Sequence, residues 1–328
     1  MPAESITSLD WRPRKPLVGF FAILAILFVL RTALGFVVVA PSVALFLSGL
    51  FTVVFIVLPI AGLFWAAAKE WKSREALLML IIGAILHILC FVYLRQLKPE
   101  GAVEVLMKSV MQTGVLLWCF GLGASVSILI KEKSMVLPIA IFLAGMDAFL
   151  ILTPTTIVSK IAAENPAIVG SLGYQVPMVK QSVPGVVVPV GSADLAYVGP
   201  ADLFITAVFF TCLFRYRMRT KETALWLAPV LVAYLFLVFL LRFPLPALVP
   251  IGLTVLIVNA REFQLSREEK QATWFVTLIA LGMASYGLWM RINHKPQGSQ
   301  SELSIDAAAP QPPKPAGSIE LSPADPNR

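Results

Sequence analysis

Two aspartates stand in apolar surroundings. Asp147 lies in LAGMDAFLILT with no other charged residue between Lys133 and Lys160, and Asp202 opens the run DLFITAVFFTCLF that continues to Arg215. An ionisable side chain at membrane depth is costly, so it is a functional candidate whose partner has to be found. At 1.5 Å per helical residue, Asp147 is about 21 Å from Lys133 and Asp202 about 20 Å from Arg215, which sets both carboxylates at one level. They also lie on consecutive antiparallel segments, which are usually neighbours in space. Two carboxyls brought together in a low dielectric cannot both ionise, so the pair holds one proton and titrates as a unit. Such a pair acts as general base toward water and general acid toward a peptide carbonyl or a leaving amine.

A third feature falls at the same level. Residues 243–250 read FPLPALVP, with prolines at 244, 246 and 250, and Leu248 lies about 20 Å from Arg261 by the same count. Proline lacks an N–H and crowds the preceding turn, so these positions cannot open a regular helix. Unwound backbone at membrane depth is tolerated only where it is buried in protein or lines a watery cavity. Its free amides and carbonyls are then available to an extended peptide, strand to strand. The competing reading is a helix that starts after Pro250.

The elements that must position these residues are membrane spans. Of 328 residues 58% are hydrophobic and only 14% charged, with a mean hydropathy of +0.83, well below the roughly 25% charged residues of soluble domains. Apolar runs near 16–38, 42–68, 76–94, 109–130, 134–153, 199–214, 224–241, 243–260 and 272–290 predict an all-α polytopic membrane protein of about nine helices, the sixth and eighth being shortest. Four helices over 1–130 precede a core at 131–260 that contains the long connection 154–198. One further helix follows at 261–291, then a tail at 292–328 whose prolines, Ser, Ala and Gln predict disorder. Fifteen Lys and Arg fall in the connections on the side of the N-terminus, six in those opposite and four at the tail. The positive-inside rule therefore predicts a cytoplasmic N-terminus and an external tail. Net charge of +7 is accounted for by those flanks, without a nucleic-acid partner.

The remaining polar residues read as structural. Arg31, near the outer end of the first run, is expected to snorkel to the interface. His87 in AILHILC reads as a packing histidine with no second ligand at metal spacing. Cys90, Cys119 and Cys212 sit inside apolar runs as packing residues. Asp194, in the phrase GSAD that precedes GPAD by eight residues, reads as an exposed turn or cap. The stretch YQVPMVKQSVPGVVVPV at 174–190 has short-strand composition, and we expect it to cover the aspartates and pair with an unwound substrate.

An aspartate in one span, a Gly-x-Gly-Asp-like phrase opening the next and Pro-Ala-Leu opening a span two further on resembles the intramembrane aspartyl proteases, presenilin and signal peptide peptidase. The positions are Asp147, then Gly199-Pro200-Ala201-Asp202, then Pro246-Ala247-Leu248. The resemblance covers roughly residues 134–260. It implies a presenilin-like bundle with a partly unwound Pro-Ala-Leu helix, catalytic Asp147 and Asp202, and a substrate-binding role for Pro246, Ala247 and Leu248. It further implies that Gly199, Pro200 and Ala201 support the second aspartate, that no metal or organic cofactor is needed, and that substrates are transmembrane or signal-peptide helices within the bilayer of a prokaryotic plasma membrane. Ala201 stands where that family has glycine, Met146 where it usually has tyrosine, and four runs rather than five precede the first aspartate. A proton- or cation-coupled transporter using the same carboxylates, or an inactive presenilin-like protein, are the alternative readings.

Overall fold

The structure is a computed structural model that describes residues 15–153, 170–182, 190–191, 193–241 and 245–293. Among the described residues nine helices follow the nine apolar runs: α1 (Pro16–Leu34), α2 (Pro41–Ala67), α3 (Ser73–Leu97), α4 (Ala102–Ser127), α5 (Val136–Leu152), α6 (Pro200–Arg215), α7 (Thr220–Leu241), α8 (Leu248–Asn259) and α9 (Arg267–Asn293). Seven of them, all but α6 and α8, are long and apolar enough to cross a membrane. The tail beyond residue 293, part of the 154–198 connection, and Arg242, Phe243 and Pro244 lie outside the described residues.

Local chemistry sets the helix starts. Proline opens α1, α2 and α6, where its missing N–H is no loss and its fixed φ is already helical. Between α3 and α4 the chain reverses through Lys98 and Gly101, both at positive φ. α4 is the hub of the bundle and packs on α1, α2, α3 and α6. Its Phe120 meets Phe20 of α1 and Trp71, while Phe64 of α2 stands edge-on to Phe210 of α6. At one end of the bundle Arg215 donates to the Ser127 and Ile128 carbonyls, supplying a cation to the last turn of α4. There too, fully buried Asn259 at the end of α8 accepts from the Arg219 amide and donates to Thr223 Oγ1, pinning α8 to the start of α7.

α9 lies along α5, on small residues. A Cβ at Gly145 would stand 2.5 Å from Ala280 Cβ and 2.6 Å from Ala280 Cα, so only glycine permits this approach. Gly145→Leu is expected to push α9 off α5 and destabilise the fold by about 3 kcal/mol or more, the upper range for overpacking. A lowered midpoint of thermal unfolding in detergent is the readout.

The strands come from the connections. β1 (Val38–Val39) pairs in parallel with β3 (Lys180–Gln181), and β2 (Tyr174–Met178) pairs antiparallel with β4 (Ala193–Val198). The register runs Tyr174↔Val198, Gln175↔Tyr197 and Val176↔Ala196, then shifts by a bulge so that Pro177 faces Asp194. Proline has no N–H to give a ladder, and a bulge is where a sheet tolerates it. Of the stretch 174–190 read as short strand, 174–178 and 180–181 are strands and 183–189 lie outside the described residues; β2 is buried against α1, α2 and α4.

Candidate functional site

Asp147 projects from the C-terminal half of α5 and is half-buried. Its Oδ2 accepts the backbone N–H of Leu248 at 2.9 Å. That contact follows from local sequence: the first N–H groups of a helix have no partner within it, and Leu248 is the first residue of α8. Leu245 and Pro246 are non-helical and Ala247 is a turn, so Pro-Ala-Leu marks the passage from irregular backbone into helix. Pro250 falls inside the first turn of α8, and the helix begins two residues before it rather than after it.

Asp202 is the third residue of α6 and also half-buried. Its carboxylate accepts the N–H of Gly199, the residue that precedes the helix. A Cβ at Gly199 would lie 2.8 Å from Asp202 Oδ2, so glycine there makes room for the carboxylate itself. We expect Gly199→Ala to displace that carboxylate and lower turnover of any Asp202-dependent reaction by about 10²-fold. The thermal midpoint should hardly move, since the obstructing atom is the end of a side chain. Ala201, by contrast, is exposed, and its methyl is accommodated without a clash. Pro200 supplies its carbonyl to Cys119 Sγ at 3.5 Å.

The two carboxylates lie within electrostatic reach of each other. They arrive there by a different route from the one expected of consecutive segments. Among the described residues α5 and α6 make no extensive contact; α8 packs against both, and its first amide is held by Asp147. A cavity of about 30 Å³, room for about one water, flanks Asp202 between Phe55, Pro59, Tyr174, Leu231 and Ile251.

Arg31 and Asp194 differ from expectation. Arg31 does not snorkel: it is 2% exposed and its Nη2 holds Asp194 Oδ1 at 2.9 Å. The same guanidinium donates to the Gln175 carbonyl and to Gln175 Oε1, at 2.5 and 3.0 Å. Gln112 of α4 completes the arrangement by accepting the Gln175 N–H and donating to the Gly173 carbonyl. Asp194 is thus no exposed turn but the partner of a buried cation, fixing β4 to α1. Burial, the larger influence, raises its carboxyl above the ordinary value, and the Arg31 guanidinium opposes the rise. The outward backbone groups of β2 at Gln175 are consequently taken, whereas among the described residues β4 pairs with β2 alone. Among the described residues it is therefore β4 whose second edge has no partner strand, while residues 183–189 of the 174–190 stretch lie outside the described residues.

His87 packs against Trp118 of α4. Among the described residues no group of three or more His, Cys, Asp or Glu could hold a metal ion. One group at this level escaped the sequence reading. Tyr234 of α7 lies within electrostatic reach of both Asp147 and Asp202. The depth count would have found it, because Tyr234 stands 13 residues from Lys221, about 20 Å.

Comparison with family models, with curated proteins and with solved structures gives no match to this chain.

Proposed function

We propose that this chain is an intramembrane aspartyl endopeptidase that hydrolyses peptide bonds within transmembrane helices or signal-peptide remnants. The observation that carries the reading is that the Asp147 and Asp202 carboxylates lie within electrostatic reach of each other, with Asp147 holding the Leu248 amide at the N-terminal end of α8. In this reading the two carboxyls hold one proton between them. The ionised one takes a proton from water as its oxygen adds to the peptide carbonyl carbon, and the protonated one gives its proton to the carbonyl oxygen. Collapse of the resulting diol breaks the C–N bond, with a proton delivered to the amine.

An intact helix hides its carbonyls in its own hydrogen bonds, so the substrate has to unwind next to the site. The open edge of β4 leads directly to Asp202 and offers the unwound segment a strand to join. Pro246, Ala247 and Leu248 would form the opposite wall. Nine crossings result if α6 and α8 complete theirs with the residues that precede them. The basic flanks then put the N-terminus in the cytoplasm of a prokaryotic cell and the Asp194 hairpin outside.

The deciding experiment is cleavage of a fluorogenic transmembrane peptide by the purified chain in detergent. Products bearing a new N-terminus inside the apolar stretch support the protease. Proton-coupled uptake into liposomes without cleavage would replace it with the transporter.

A further inference from the structure

Tyr234 is held by α7, which packs on α2 and α8. Its ring is half-buried, while Oη is buried and has no hydrogen-bond partner among the described residues. A buried phenol hydroxyl ordinarily finds one. Other donors on α6 and α8 are already committed: Thr206 Oγ1 to the Asp202 carbonyl, Thr254 Oγ1 to the Pro250 carbonyl and the Leu248 amide to Asp147. Tyr234 Oη is therefore a buried, unspent donor within electrostatic reach of two carboxylates that already accept backbone amides.

We propose that Tyr234 donates a hydrogen bond to the carbonyl oxygen of the bond being cut, an inference that rests on the protease reading above. During water addition the carbonyl π pair moves onto that oxygen, and negative charge grows there before the protonated aspartate delivers its proton. The phenol keeps its own proton throughout and stabilises the charge by hydrogen bonding alone. A donor aimed at developing charge acts on the transition state more than on the bound substrate, so its loss lowers kcat rather than raising KM. Asp147 and Asp202 move protons, and Tyr234 holds the oxygen between them.

Tyr234→Phe in the full chain tests this, because phenylalanine keeps the ring and deletes the donor. With the fluorogenic transmembrane peptide, kcat is expected to fall about 10²–10³-fold, the loss typical of one oxyanion donor, with KM within about threefold and an unchanged thermal midpoint. Affinity for a peptide carrying a secondary alcohol in place of the scissile carbonyl should fall as well. If Tyr234→Phe itself lowers the thermal midpoint, fluorotyrosine at 234 is the second variant. It retains the donor and should restore the parental kcat. A Tyr234→Phe protein with parental kcat, beside an inactive Asp202→Asn, would overturn the inference and leave the protease standing. Absence of cleavage by the parent removes both.

Discussion

Asp202→Asn is expected to abolish cleavage of a transmembrane peptide, with kcat lower by about 10³-fold or more, and Asp147→Asn is expected to match it. Neither change removes much packing, since an amide has nearly the volume of a carboxyl. Each also leaves a backbone contact in place. With Asp147→Asn the new side-chain oxygen can still accept the Leu248 amide, so α8 keeps the partner of its first N–H. With Asp202→Asn the side-chain oxygen can do the same for the Gly199 amide. Both variants should therefore fold, with thermal midpoints close to the parent, and the double variant should be no worse than either single one because the carboxyls act as a unit. Stable, inactive single variants identify a catalytic pair. Parental cleavage by either variant would reduce its aspartate to a helix cap and overturn the mechanism.

The second large effect concerns stability. Arg31→Ala is expected to destabilise the fold by about 3–5 kcal/mol, the cost of leaving one member of a buried ion pair alone. Asp194 is the charge left behind, and Gln175 loses donors to both its carbonyl and its side chain. Asp194→Ala should cost a similar amount from the other side. In the double variant the loss should be much less than the two single losses added together, and thermal unfolding in detergent measures that difference as a coupling energy. Two independent, additive losses would mean that the pair does not hold β4 to α1.

The contrast between these two sites marks what could be read from residues alone. Asp147, Asp202 and FPLPALVP announce themselves, because a carboxylate in an apolar run and closely spaced prolines are local violations with physical costs. The helix runs were legible for the same reason, down to the short sixth and eighth. Arg31 and Asp194 were not, since 163 residues separate them and each has an ordinary explanation by itself. Which helices meet was also hidden: α8 packs on both α5 and α6 while those two make no extensive contact, and no neighbour rule for consecutive segments contains that. The position of Ala201 illustrates the same limit. Ala201 stands where the resembled family has glycine, but its methyl is exposed, and Gly199 is the position where space beside Asp202 is scarce.

Gly199 is also the whole of the joint between β4, which ends at Val198, and α6, which begins at Pro200. A joint of one residue followed by a ring-locked φ has no slack to absorb motion. A slide of β4 by half a residue, about 1.7 Å at strand spacing, reaches Asp202 almost undiminished. On the protease reading, docking a peptide on β4 and aligning Asp202 would be mechanically the same event. Peptides would then fall into two classes: those that seat β4 in register and are cut, and those that hold it out of register and inhibit, however tightly they bind.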